Sequence, residues 1–432
     1  MAGGPRSARS PLRELSRVTP PPQPGSGHGV RNVLMTCSND AGHGGVQVVF
    51  RDLVRSLERD GRRVYLLYQD STTRLRLRQA VNGWGRLAFY CPLPTMIKDS
   101  LLLSLPLTLV YLPLVVFHLA RLIRRHKIDV INAHYLAEYF VHLALVARLL
   151  RVPLIISVHG ADVDQYASAR PVQRLLLRLA MRGAQRIVAC SSAMADETAR
   201  VFPSARAKIT HVHNGLVLDD VPAPRTAGGV SGPFVLSVAR QVTKKGTDTL
   251  LCAFALVHHD VPDVMLVVIG DGPELGKNRA LAETLGIAHR VQFLGDRTRD
   301  ETLVFFSACS LFVLPSRVEP FGLVLLEAAC YKRPIVATAV GGIPEILTDG
   351  VNAFLVPPDD PAAMADKMKT LLANPRLGDR FGTSAHASVL ARFRWDDRVR
   401  DYVAVYEDAE RAARHSRRPR GLGHAASPYL RP

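Results

Sequence analysis

The chain has 432 residues, of which 47% are hydrophobic and 22% charged. That excludes a wholly disordered chain, a collagen and a disulfide miniprotein, and the length suits two globular domains. Lys and Arg total 55 against 38 Asp and Glu, a net charge of +17 that is unevenly spread. Residues 1–31 carry five Arg and one Glu, and residues 411–432 carry six Arg and no acid. Residues 32–220 hold 24 basic and 14 acidic side chains, whereas residues 221–410 hold 20 and 23. The two tails read as solvated basic arms. The excess on the first half of the body points to an anionic partner or membrane surface for that half.

The six cysteines are Cys37, Cys91, Cys190, Cys252, Cys309 and Cys330. None forms a C-x-x-C pair and several lie in apolar runs, as expected of buried free thiols in a reducing compartment. Residues 1–29 are rich in Pro, Arg, Gly and Ser without an apolar stretch, and read as a disordered leader rather than a secretory signal.

The body opens with an apolar run at 30–35, a glycine-rich turn Ala41-Gly42-His43-Gly44-Gly45, and helical periodicity over 46–57. Strand, glycine turn and helix open a doubly wound α/β domain. The turn is not a full G-x-G-x-x-G, because Gln47 takes the last position, so a dinucleotide enzyme is a poor match. A phosphate or substrate can still rest on the backbone at Gly44 and Gly45. Further strands are expected at 63–68, 128–132, 153–158, 186–189 and 209–213. Residues 216–233 are Pro- and Gly-rich and read as a linker. A second series follows, with strands at 234–238, 264–269, 291–294, 310–314 and 334–337, and helices at 247–258, 275–285 and from 321. Strands alternating with helices twice over predict two Rossmann-like parallel-sheet domains, 30–215 and 234–394, facing a central cleft. Ligands in such folds bind at strand C-terminal ends.

Residues 100–120 contain no Lys, Arg, Asp or Glu and are long enough to span a bilayer. Pro106, Pro113, His118 and a position between two strands of one sheet argue against a span. A buried core helix or an interfacial segment remains. The flanking Arg74, Arg76, Arg78, Arg86, Lys98, Arg121, Arg124, Arg125 and Lys127 suit anionic headgroups and favour the interface.

The strongest chemical signal is Glu319-Pro-Phe-Gly-Leu-Val-Leu-Leu-Glu327. A helix starting near Gly322 would aim its free amides and dipole at an anion such as a phosphate. Glu319 would then sit in the loop ahead of that helix, facing the cleft. Glu327, inside the helix, could accept hydrogen bonds from a hydroxylated group beside the anion. Arg240 and Lys245, five apart between a strand and a helix, suit a diphosphate, or else line a solvated loop. Gly270-Asp271-Gly272-Pro273 is a tight turn at a strand end. His159 ends a strand and should point into the cleft. Asp162 and Asp164 have the D-x-D spacing of a metal–diphosphate clamp, but a fold already offering Arg240, Lys245 and a helix N-terminus to the diphosphate leaves them little metal role.

Gly44-Gly45, His159-Gly160, Arg240, Lys245-Gly246, Gly270-Asp271-Gly272-Pro273, Pro315-Ser316, Glu319 to Glu327 and Gly341-Gly342 stand in an order that resembles retaining glycosyltransferase family 4, over residues 30–408. The resemblance implies the GT-B fold and a UDP-, GDP- or ADP-sugar donor held by the second domain, with neither metal nor cofactor. It implies that Arg240 and Lys245 bind the diphosphate and that the amides of Gly322, Leu323 and Val324 assist. Glu327 would hold the ribose, and Glu319 with the Phe321-Gly322 backbone would hold the donor sugar. His159 would reach that sugar from the first domain. Residues 395–410 would form a last helix crossing back to the first domain, ahead of a disordered basic tail. The acceptor would be lipid-linked or a saccharide, handled at the cytoplasmic face of the membrane. A nucleotide-sugar epimerase of the same fold is an alternative enzyme. No aromatic-interleaved basic strand supports a nucleic-acid-binding protein.

Overall fold

The computed structural model describes residues 29–37, 45–69, 77–82, 86–91, 101–217, 230 and 232–415. Gly42 and Gly44, most of the linker and both tails lie outside these residues.

The first domain is built in chain order from β1 (Asn32–Cys37), α1 (Gly45–Arg59), β2 (Arg63–Gln69), β3 (Arg78–Val81), β4 (Leu87–Cys91), α2 (Leu101–Arg125), β5 (Val130–His134), α3 (Phe140–Leu150), β6 (Leu154–Val158), α4 (Ala161–Ser168), α5 (Pro171–Gly183), β7 (Arg186–Ala189), α6 (Ser192–Val201) and β8 (Ile209–His211). Its sheet runs β3-β4-β2-β1-β5-β6-β7-β8, parallel except for the antiparallel β3–β4 pair. β5 and β6 are buried at every position, as parallel strands covered on both faces must be.

The second domain comprises β9 (Phe234–Val238), α7 (Thr247–Asp260), β10 (Met265–Ile269), α8 (Leu275–Thr284), β11 (Val291–Phe293), α9 (Arg299–Ala308), β12 (Leu311–Leu314), α10 (Leu323–Cys330), β13 (Ile335–Thr338), α11 (Ile343–Ile346), β14 (Phe354–Val356), α12 (Pro361–Ala373) and α13 (Pro375–Arg392). Its all-parallel sheet has the order β11-β10-β9-β12-β13-β14. The order reverses between β9 and β12, so a ligand crevice opens beyond their C-terminal ends. The turn carrying Lys245 and the loop carrying Glu319 follow those two strands.

The last helix, α14 (Trp395–His415), packs on the first domain. Trp395, Tyr402 and Tyr406 are buried with Val49, Phe50 and Leu53 of α1. Asn132 Nδ2 donates to the Tyr406 hydroxyl at 2.7 Å. The two crossings between domains lie side by side: Leu216 N donates to Phe393 O, and Trp395 N to Leu216 O.

Three strands, β3, β4 and β14, and helix α9 lie outside the expected series. The apolar segment 100–120 belongs to the 25-residue helix α2. Among the described residues no helix is long and apolar enough to cross a membrane. Val115, Leu119, Leu122 and Ile123 are buried against the sheet, a helical spacing that makes this half of α2 part of the core. None of the six cysteines is in a disulfide, and four of them are buried.

Candidate active site

The second-domain lip is built around the loop between β12 and α10. Gly322 turns the chain into α10 with φ of 102° and no side-chain cap, so the first amides of the helix at Leu323 and Val324 face the cleft end. Glu319 lies in the loop before it and is 8% exposed. Its Oε2 is 2.5 Å from Lys245 Nζ and 3.3 Å from Ser316 Oγ. Gly342 N donates to the Glu319 carbonyl at 3.0 Å. At Gly341, with φ of 53°, an added Cβ would run into that same carbonyl oxygen. The Gly341-Gly342 pair is therefore needed for a close backbone approach that seats the Glu319 loop.

Lys245 ends a short helical turn, Thr243–Lys245. Arg317 braces this turn: its guanidinium donates to Thr243 O at 2.6 Å and pairs with Asp248 and Asp359, which hold its charge firmly in place. Arg240 is exposed on the same lip. Its charge pulls the Tyr135 phenol down across the cleft, against the larger upward effect of burial.

Glu327, one turn inside α10, accepts from Arg299 Nε at 3.3 Å. Arg299 in turn reaches Asp52 of α1, with Nη1 3.5 Å from Oδ2. Burial raises the Glu327 carboxyl and Arg299 partly offsets it. Asp52 and Arg299 thus tie the proposed ribose carboxylate to the first domain. Nothing in the local sequence marks them.

On the first-domain side, His159 directly follows β6, and its ring stacks on His134, with Nε2 3.1 Å from His134 Nδ1. Burial pushes His159 down to about 4 and His134 well below the usual range, which favours neutral rings, one nitrogen of the pair donating to the other. Asp162 is buried and accepts from the His159 and Leu136 amides at 2.9 Å each, which anchors the end of β6. Burial raises its carboxyl to about 6. Asp164 pairs instead with Lys244 across the cleft at 3.2 Å. The D-x-D residues therefore bind backbone and a lysine. Among the described residues there is no group of three or more His, Cys, Asp or Glu placed to hold a metal ion.

The domains also touch directly. Pro320 packs on Gly160, whose φ is 110° and where a Cβ would collide with the proline ring. Ser191 Oγ donates to Pro320 O at 2.6 Å. Glu345 of α11 accepts from Ser192 N (3.0 Å), Ser192 Oγ (2.8 Å), Ala193 N (3.0 Å) and His213 Nε2 (2.7 Å). That carboxylate sits on the N-terminus of α6, where the helix dipole favours it. The Phe321 side chain turns away from the cleft into a cluster with His213 and Phe393 at the crossing, leaving only its backbone on the site side. Gly45, at the start of α1, faces Leu323 at the start of α10: an added Cβ would lie 3.4 Å from Leu323 Cδ1.

The N-termini of α1 and α10, Lys245 and Arg240 thus border one crevice, with the Glu319 carboxylate set against Lys245. Such an arrangement has the chemistry to bind an anion with a carboxylate beside it.

The sequence model of "Glycosyl transferases group 1" matches residues 228–387, and that of "Glycosyltransferase Family 4" matches residues 43–220. The chain is 34% identical over 307 residues to D-inositol 3-phosphate glycosyltransferase 1 of Catenulispora acidiphila, covering 65% of this chain and 72% of that one. It is 28% identical over 302 residues to N-acetyl-alpha-D-glucosaminyl L-malate synthase of Bacillus anthracis, covering 68% and 78%. The fold superposes on sucrose-phosphate synthase from Thermosynechococcus elongatus with a TM-score of 0.68 at 21% identity, over 88% of this chain and all of that one. It superposes on Anabaena HepE, solved with UDP and glucose, with a TM-score of 0.69 at 22% identity, again over 88% and all. This chain belongs to glycosyltransferase family 4 and is a glycosyltransferase of the GT-B fold.

Proposed function

We propose that the enzyme transfers a sugar, with retention of configuration, from a UDP-, GDP- or ADP-sugar to a lipid-linked or saccharide acceptor at the cytoplasmic, anionic face of the membrane. The observation that carries this reading is the Lys245–Glu319 pair at the uncapped start of α10. Lys245, Arg240 and the facing helix N-termini counter the diphosphate charge, so the reading calls for no metal. Glu327 holds the ribose, with Arg299 sharing the carboxylate. Glu319 orients the sugar hydroxyls and steadies the positive charge that grows on the ring as the phosphate leaves. The departing phosphate takes the acceptor's proton. His159 approaches the sugar from the first domain as a neutral imidazole. The HepE structures with UDP and UDP-glucose support a nucleotide-sugar donor.

The test is a panel of nucleotide sugars assayed for release of UDP, GDP or ADP, followed by Glu319→Gln with the accepted donor. Turnover should fall about a hundredfold, equivalent to roughly 2.7 kcal/mol of transition-state stabilisation, with nucleotide affinity little changed. Wild-type turnover in that variant would remove Glu319 from the chemistry. Isomerisation of the donor with no acceptor present would replace transfer with epimerisation.

A further inference from the structure

Helices α2, α3 and α5 lie side by side on one face of the first sheet. None of the three contains an Asp or Glu. Their outward surfaces carry Phe117, Leu145, Leu149, Leu175 and Leu179, between 36% and 61% exposed. Only four other large hydrophobic side chains are exposed among the described residues. On α5, Arg174, Leu175, Arg178, Leu179 and Arg182 form one exposed stripe, while Leu177, Ala180 and Met181 face the core. Exposed Arg121 and Arg124 of α2 and Arg148 of α3 continue the pattern. Where α2 and α3 end, a groove of about 490 Å³ opens, lined by Arg124, Lys127 and Arg151 above Ile123, Leu149 and Leu150.

A soluble monomer rarely leaves apolar side chains clustered in this way. Arginines on both sides of a self-contact would repel one another, which disfavours a homodimer through this face. Leucines offer no stacking platform for nucleic-acid bases. Arginines around leucines match a bilayer, whose headgroups are anionic and whose acyl region starts a few ångströms below.

We propose that the α2–α3–α5 face docks on a bilayer containing anionic phospholipid, and that the Arg124–Lys127–Arg151 groove takes a headgroup phosphate. The proposal extends the membrane-surface reading above and places the contact on three helices, not on residues 100–120 alone. α2 and α3 run from the cleft end of the sheet to its opposite end, where the groove lies just ahead of β5 and β6, so the docked face lies along the side of the first domain.

The experiment uses the full chain in co-sedimentation with phosphatidylcholine vesicles, with and without phosphatidylglycerol. The wild type should bind the anionic vesicles and be released by high salt. Leu149→Glu with Leu179→Glu, and separately Arg124→Glu with Arg182→Glu, should each cut the bound fraction at least tenfold. All four side chains are exposed, and unchanged nucleotide binding by calorimetry verifies the fold. Chains lacking residues 1–28 and 416–432 should still bind. Wild-type binding by either double variant, loss of binding on removing the tails, or equal binding to neutral vesicles overturns the proposal. Vesicle binding by an enzyme that uses only a soluble saccharide acceptor would sink the lipid-linked reading and leave the docking face standing.

Discussion

Replacing Glu345 with Gln probes the closed contact between the domains. The carboxylate takes four hydrogen bonds from the start of α6 and from His213. Burial alone would raise its pKa, but the Ala193 amide, His213 and Ser192 together hold it down to about 2 from 4.5. Without screening, that depression corresponds to ~3 kcal/mol of stabilisation by the charged form. The side chain is 18% exposed at the rim of the cleft, and solvent screening brings the expected figure to about 1–2 kcal/mol. The folded value lies below the unfolded one. The contribution is therefore complete above pH 4.5 and is lost as pH falls toward 2. Glu345→Gln keeps the size but removes the charge and turns an amide NH₂ toward donors. Urea unfolding followed by the fluorescence of Trp395, buried where the domains cross, should show the variant about 1–2 kcal/mol less stable near neutral pH. The gap should narrow below pH 4.5. Equal stability at neutral pH, or a gap that does not narrow in acid, would refute the assignment of this carboxylate as an ionised interdomain contact.

Gly160→Ala should place a methyl group against Pro320 and hold the cleft open, leaving nucleotide binding to the second domain intact while turnover falls at least tenfold; steady-state kinetics beside calorimetry checks it. Lys245→Ala and Arg240→Ala each remove a charge-assisted contact worth roughly 1.5–3 kcal/mol, so donor affinity should drop by about one to two decades, as read by calorimetry.

Much of the architecture is legible in the chain itself. The strand–helix alternation, the start of α10 behind Gly322 and the family motif are all local patterns, and backbone periodicity and glycine conformation act over a few residues. The basic first half and the apolar α2 were equally visible. β3 and β14 escaped because they are edge strands of only four and three residues, and β4, an interior strand, because its five-residue apolar run Leu87–Cys91 has no alternation to mark it. What only the tertiary structure decided is which distant groups meet. Lys245 meets Glu319 across 74 residues because the sheet sets β9 beside β12. Arg299 links Glu327 to Asp52, and Glu345 reaches Ser192, because the two domains are closed on each other and α14 returns to the first. Phe321 turns to the crossing and His159 to His134 for the same reason: the packing around a side chain, not its place in the motif, decides where it points. The arginine–leucine face is likewise written in three separate helices, and it becomes one surface only when the sheet lays those helices side by side.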